Sequence, residues 1–245
     1  MYCGKRILCW NAFCGVLNMR AVLIAVLILA CIGVLAWATA KPNDGRANAK
    51  AAFPKPAVDA PLAASKSEET AVLAGGCFWG IQAVFQHLKG VTSSTSGYSG
   101  GAAKTANYEE VSTGETGHAE SVKIVFDPSQ ISYGQILMIF FSVGHIPTEL
   151  NRQGPDYGTQ YRSSIFYSSE QQKKIAEAYI AQLNAAKIYS QPIVTQVVPL
   201  QTFYPAENYH QNYLKSHPYE PYIMMNDLPK LTSLKKEYPD LYRND

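Results

Sequence analysis

The sequence predicts an α+β domain in which helices pack on a mixed, mainly antiparallel sheet. Strand-like and helix-like segments are mixed without the strict alternation of a doubly wound parallel sheet. Apolar residues make up 47% of the 245, with 16 Tyr and 9 Phe, which suits a well-packed core. Charge is nearly balanced. Of 21 basic residues, Lys5, Arg6 and Arg20 fall in an acid-free N-terminal segment, leaving 18 against 19 acidic ones, a balance of −1. That speaks against a nucleic-acid surface.

Residues 21–40, AVLIAVLILACIGVLAWATA, are uncharged, almost wholly apolar and long enough to span a bilayer. Basic residues ahead of the run would stay in the cytoplasm and send the rest outward. Residues 1–40 therefore read as a signal peptide, cleaved after Ala38-Thr39-Ala40, or as a retained anchor. Met19 is a second candidate start. Either form places the remaining chain outside the cytoplasm, periplasmic or anchored facing the periplasm, with membrane contact only through this segment. Residues 41–69, rich in Ala, Pro, Lys and Ser and without periodicity, read as a disordered linker. The folded domain is expected over 70–245.

The domain opens on a short apolar strand, Ala71 to Ala74, followed by the Gly75-Gly76 turn and Cys77 at the first turn of a helix. Apolar residues at Phe78, Ile81, Val84, Phe85 and Leu88 have helical spacing. Gly90 stops this helix, and Val91–Ser96 is β-prone before a loop at Gly97–Gly101. His118–Phe126 alternates, with Glu120, Val122, Ile124 and Phe126 on one side. Ser132 and Gln135 form a capping-box pattern opening a helix through Val143. Residues 145–161 form a polar loop, Arg162–Tyr167 a strand, Ser169–Lys187 a helix and Ile193–Leu200 a strand. Short helices follow over Pro205–Leu214 and from Asp227 through Tyr238.

Of the five cysteines, only Cys77 lies beyond residue 31, and no CxxC pair or zinc-like histidine spacing accompanies it. A lone cysteine is usually a small core residue. Here a helix N-terminus would favour a thiolate, and Phe78 and Trp79 follow directly. Trp79 is the only tryptophan outside the N-terminal segment. Glu120 shares its strand face with three apolar residues. On an inner face, desolvation would keep it protonated and fit to donate a proton; on an outer one it would be a solvated strand-end charge. Two further polar stretches stand out: Asn151–Ser163, dense in donors, and Phe203–His210, an aromatic and acidic turn. His118, His145, His210 and His217 are scattered, which disfavours a metal site. A Cys–His acyl hydrolase with His118 or His210 as base fits the residues, as does an anchored binding module docking through Phe78 and Trp79.

Gly76-Cys77-Phe78-Trp79-Gly80, Gly97-Tyr98-Ser99-Gly100-Gly101, Thr116-Gly117-His118-Ala119-Glu120 and Gly158-Thr159-Gln160-Tyr161-Arg162-Ser163 occur in that order. Together they resemble the peptide methionine sulfoxide reductase A family over roughly residues 70–240. The resemblance implies a two-layer α/β domain that reduces methionine S-sulfoxide, free or in oxidised proteins, without metal or organic cofactor. Cys77 would match the nucleophile that attacks sulfur and becomes a sulfenic acid. Glu120 would match the acid, and Tyr108 and Tyr161 the tyrosines, that bind the sulfoxide oxygen. Phe78 and Trp79 would match the methyl cage that selects the S epimer, and Asp156 an acid that helps orient the site. Many members carry later cysteines that attack the sulfenic acid, whereas nothing follows Cys77 here. That implies an external thiol reductant such as thioredoxin, glutaredoxin or glutathione. His145-Ile146-Pro147 also lacks the acid often found after that histidine.

Overall fold

A computed structural model describes residues 53–244. The expected leader or anchor lies outside them, and no helix among the described residues is long and apolar enough to cross a membrane. The first strand, β1 (Glu69–Gly75), lies at the middle of a six-stranded sheet. β2 (Val91–Ser99) and β3 (Ala119–Phe126) pair antiparallel, and β3 pairs antiparallel with β1. On the far side of β1 lies β6 (Ser163–Tyr167), also antiparallel, and β7 (Gln196–Pro199) is parallel to β6. β8 (Phe203–Pro205) closes the other edge beside β2, giving the order β7-β6-β1-β3-β2-β8. A separate ribbon of β4 (Arg152–Gln153) and β5 (Asp156–Tyr157) lies in the polar loop. The expected mixed, mainly antiparallel sheet is what forms.

Alternation along the strands decides which side is covered. Ala71 and Leu73 of β1 and Val122, Ile124 and Phe126 of β3 join the main core, whereas Val72, Ala74 and Ala119 join a smaller cluster on the opposite face. The main core is completed by α1 (Phe78–Gln86), α3 (Tyr133–Ile139) and α4 (Glu170–Ala185), through Phe85, Ile136 and Tyr179. Ser132 and Gln135 form the capping box read from the sequence.

Some boundaries differ. β2 continues through Gly97–Ser99, which the glycines had marked as a loop, because Gly97 lets Tyr204 and Phe203 of β8 approach. Only Gln196–Pro199 of the expected Ile193–Leu200 strand pairs, and the Pro205–Leu214 helix resolves into a 3-10 turn at Asn208–His210 and α5 (Tyr213–Ser216).

Over its described part the expected disordered linker is the largest departure; its residues 41–52 lie outside the described residues. Residues 53–68 are a strap bound to the domain. Tyr179 Oη donates to Pro54 O at 2.6 Å, and the Gln182 side chain bridges Lys55 O and Ala57 N, each at 2.8 Å. Asp59 accepts from Ser132 Oγ at 2.5 Å and Gly134 N at 2.8 Å, so it caps α3 from outside. Gly134 is needed there, since a Cβ would lie 2.4 Å from the Asp59 carboxyl carbon. The proline- and alanine-rich composition hid this because the strap takes its hydrogen bonds from the domain and not from itself. Asp59→Ala removes both bonds to α3 and is expected to lower unfolding stability by about 1–2 kcal/mol, read by chemical denaturation of the purified protein.

Candidate active site

The site begins where β1 turns into α1. Gly76 has φ +91°, and a Cβ there would lie 2.4 Å from Gln153 Cγ; one at Gly75 would lie 2.9 Å from the His145 and Phe140 rings. Gln153 is fixed by Ile146, accepting from its N–H at 2.9 Å and donating to its carbonyl at 3.2 Å. Glycines are therefore required for the turn to pass under the polar loop. Cys77 emerges as the N-cap residue of α1, only 8% exposed.

At the start of α1, Phe78 N–H donates to Glu120 Oε2 at 3.0 Å, while the Cys77 side chain makes no capping hydrogen bond. Glu120 is on the inner face of β3 with Val122, Ile124 and Phe126, and is 3% exposed. Burial raises its carboxyl to about 8; the Phe78 N–H works against that, and the carboxyls of Asp156 and Asp227 add to it. Oε2 accepts the backbone bond, so Oε1 is left to carry the proton.

The thiolate expected from the helix end is not the resting form. Burial, then Glu120 and Asp227, push the Cys77 thiol well up, and the Trp79 N–H and Lys230 only partly oppose them. At neutral pH the site therefore pairs a thiol with a carboxylic acid. Such a recess suits a neutral, polar guest better than an anion.

The remaining expected residues surround this pair. Tyr108 begins α2 (Tyr108–Val111), and its phenol is pushed up by burial and by Glu120. Tyr161, in a 3-10 turn of the polar loop, is pushed up by burial, Glu120, Asp156 and Cys77. Both phenols stay protonated donors. Asp156, at the ribbon, accepts from Tyr222 Oη at 2.5 Å. Burial raises its carboxyl, opposed by that bond and by Lys230. Phe78 is buried and Trp79 half-buried, their ring centroids 6.4 Å apart.

Several members of the site were not assigned from the sequence. His210 accepts from Trp79 Nε1 through Nδ1 at 3.2 Å, and its ring lies 5.1 Å from Phe78 and 4.5 Å from Tyr108. Tyr213 stacks on Trp79 at 3.8 Å and 9°. Glu207 accepts from Tyr108 N–H and Tyr98 Oη, each at 2.9 Å, and so anchors the start of α2. The 203–210 stretch stood out as aromatic and acidic, which was the available signal. Tyr222, Asp227 and Lys230 carried no signal, because nothing local ties them to Cys77. Arg162, in the fourth motif, donates to Gly117 O at 2.9 Å and His118 O at 3.1 Å, joining that motif to the third.

The hydrolase arrangement does not form. His118 accepts from Gly101 N–H through Nδ1 and reaches Ala102 O through Nε2. His210 is taken by Trp79, and His145 by Phe140 O and Ser163 Oγ. No histidine is hydrogen-bonded to Cys77 among the described residues, so nothing is placed to act as its imidazole base. No group of three His, Cys, Asp or Glu among the described residues is arranged to hold a metal ion.

Comparison with known proteins gives the same reading. A family model described as peptide methionine sulfoxide reductase matches residues 69–241. Peptide methionine sulfoxide reductase MsrA 2 of Mesorhizobium japonicum is 59% identical over 179 residues, covering 73% of this chain and 92% of that protein. The protein of the same name from Synechocystis is 51% identical over 190 residues, covering 77% and 89%. Among solved structures, Mxr1 from Saccharomyces cerevisiae in reduced form superimposes with a TM-score of 0.57 at 30% identity, covering 67% of this chain and 92% of that one. Methionine sulfoxide reductase A of Corynebacterium diphtheriae gives 0.55 at 32% identity, covering 74% and 92%. The chain belongs to the peptide methionine sulfoxide reductase family.

Proposed function

We propose that this enzyme reduces the S epimer of methionine sulfoxide at Cys77, with Glu120 as proton donor, and is recycled by an external thiol. The observation that carries the proposal is the buried Glu120 bound to the N–H of Phe78, the residue next to Cys77. A sulfoxide oxygen leaves poorly until protonated, so the sulfur nucleophile and the acid must converge on one sulfur. Glu120 supplies the proton, and the Tyr108 and Tyr161 phenols donate to the same oxygen. Asp156, held by Tyr222, orients the polar loop that carries Tyr161. The substrate methyl occupies the recess of Phe78 and Trp79, with the peptide directed outward. Fixing methyl, oxygen and chain at three places selects one epimer.

Cys77 sulfur attacks the sulfoxide sulfur while oxygen takes the proton. The thioether leaves as methionine, the oxygen ends on Cys77 as a sulfenic acid, and the thiol proton balances the one given by Glu120. No cysteine follows Cys77 in the sequence to resolve this acid within the chain. Two thiols of a reductant, one dithiol protein of the thioredoxin or glutaredoxin type or two glutathiones, then give water, a disulfide and free Cys77. Neither metal nor organic cofactor enters these steps. Oxidised methionine in other proteins is the substrate class.

The apolar run at 21–40, with basic residues ahead of it, supports placement of the domain outside the cytoplasm as an exported or anchored protein. N-terminal sequencing of the membrane and soluble fractions reads this. An intact leader on membrane-bound protein identifies an anchor, a start at Lys41 a cleaved signal, and unprocessed protein in the cytosol contradicts both.

Glu120 gives the chemical test. Its carboxyl is raised in the folded state, so the acid form persists at neutral pH and is lost as pH rises through about 8. kcat/KM for a methionine S-sulfoxide peptide is expected to be level below that pH and to fall above it. Glu120→Gln should abolish the fall and lower kcat by about 100-fold or more, and Cys77→Ser should be inactive. Full activity in either variant contradicts these assignments.

A further inference from the structure

The C-terminal helix α6 (Leu228–Glu237) brings a buried ion pair to the turn that carries Cys77. Asp227, just ahead of α6, is fully buried, and Lys230 Nζ lies 3.0 Å from its Oδ1, with only 17% of the lysine side chain exposed. Both press on Gly80, where a Cβ would lie 2.1 Å from Asp227 Oδ1 and 2.8 Å from Lys230 Nζ. Gly80 is three residues after Cys77, on the same first turn of α1. Asp227 Oδ2 is buried with no hydrogen-bond partner among the described residues.

Fold stability is a poor explanation for this placement. A buried ion pair adds little over apolar packing, and an ammonium beside a helix N-terminus is opposed by the helix dipole. Charge at the sulfur is a better one. Cys77 faces Glu120 from β3, Tyr161 from the polar loop, Tyr108 from α2, and Tyr213, Tyr222 and Asp227 from the C-terminal segment. All six are neutral or anionic, and among the described residues Lys230 is the one cation that bears on both Cys77 and Asp156.

We propose that Lys230 is a positioning residue of the reductase site, which neutralises buried Asp227 against Gly80 so that the Cys77 sulfur can take on negative charge as attack begins. This rests on Cys77 being the nucleophile. Without the ammonium, Asp227 would face the developing charge unopposed, and the thiol would give up its proton later.

The test is the pH dependence of Cys77 alkylation by iodoacetamide in the full-length protein, read by mass on the Cys77 peptide because four other cysteines are present. Lys230→Gln keeps an N–H donor for Asp227 and removes the charge. Its alkylation midpoint is expected to rise by about one pH unit, with roughly tenfold slower alkylation at a fixed pH below it. Lys230→Arg should hold the wild-type midpoint. An unchanged midpoint in folded Lys230→Gln overturns the proposal and leaves the Cys77 assignment intact, since that falls only if Cys77→Ser retains turnover. Should Lys230→Gln fail to fold, Lys230→Arg and the double change with Asp227→Asn remain to be read. In the double variant no carboxylate is left to face the sulfur unopposed, so its alkylation midpoint is expected within about 0.3 pH unit of wild type. A double-variant midpoint raised by about one unit overturns the proposal equally.

Discussion

The site depends on one hydrogen bond, from Phe78 N–H to Glu120 Oε2. It joins the start of α1 to β3 through the two residues that frame the chemistry. Without it the backbone donor would face an apolar recess unpaired, and the buried carboxyl would lose the partner that fixes which oxygen holds the proton. The surrounding architecture keeps this bond in place. Glu120 stands opposite Tyr98 across the β2–β3 pair, and Tyr98 in turn donates to Glu207, which anchors Tyr108. Acid, tyrosine and aromatic recess are thus coupled through a short chain of contacts.

Burial sets the character of the chemistry. A thiolate would be the more reactive resting species, yet desolvation and neighbouring carboxyls hold Cys77 as a thiol. The same desolvation keeps Glu120 protonated near neutral pH. The two effects belong together: a pocket dry enough to hold a carboxylic acid also disfavours a free anion on sulfur. On the mechanism we propose, reactivity is conditional on a substrate that accepts a proton as sulfur attacks, which limits side reactions of the thiol.

Much of this was legible in the sequence where the signal was local. The Gly75-Gly76 turn, the helical spacing after Cys77 and the alternation through Glu120 each rest on one segment's periodicity or turn chemistry, and each forms as read. Tyr222, Asp227 and Lys230 could not be found that way, because they meet Cys77 only through the packing of the C-terminal segment. Residues 53–68 misled for a related reason. Their composition lacks a pattern of its own, but Asp59, Pro54 and Lys55 find partners on α3 and α4 that no local rule reveals. His210 is intermediate: its stretch was conspicuous, but only the fold turns its ring toward Trp79.

The central claim is that oxygen passes from substrate to Cys77 and stays there until an outside thiol removes it. The most direct measurement mixes reduced enzyme, freed of reductant, with a methionine S-sulfoxide peptide and follows product together with intact protein mass. The account predicts about one methionine formed per enzyme and one oxygen atom gained at Cys77. No methionine from folded protein whose Cys77 still reacts with thiol reagents would contradict it.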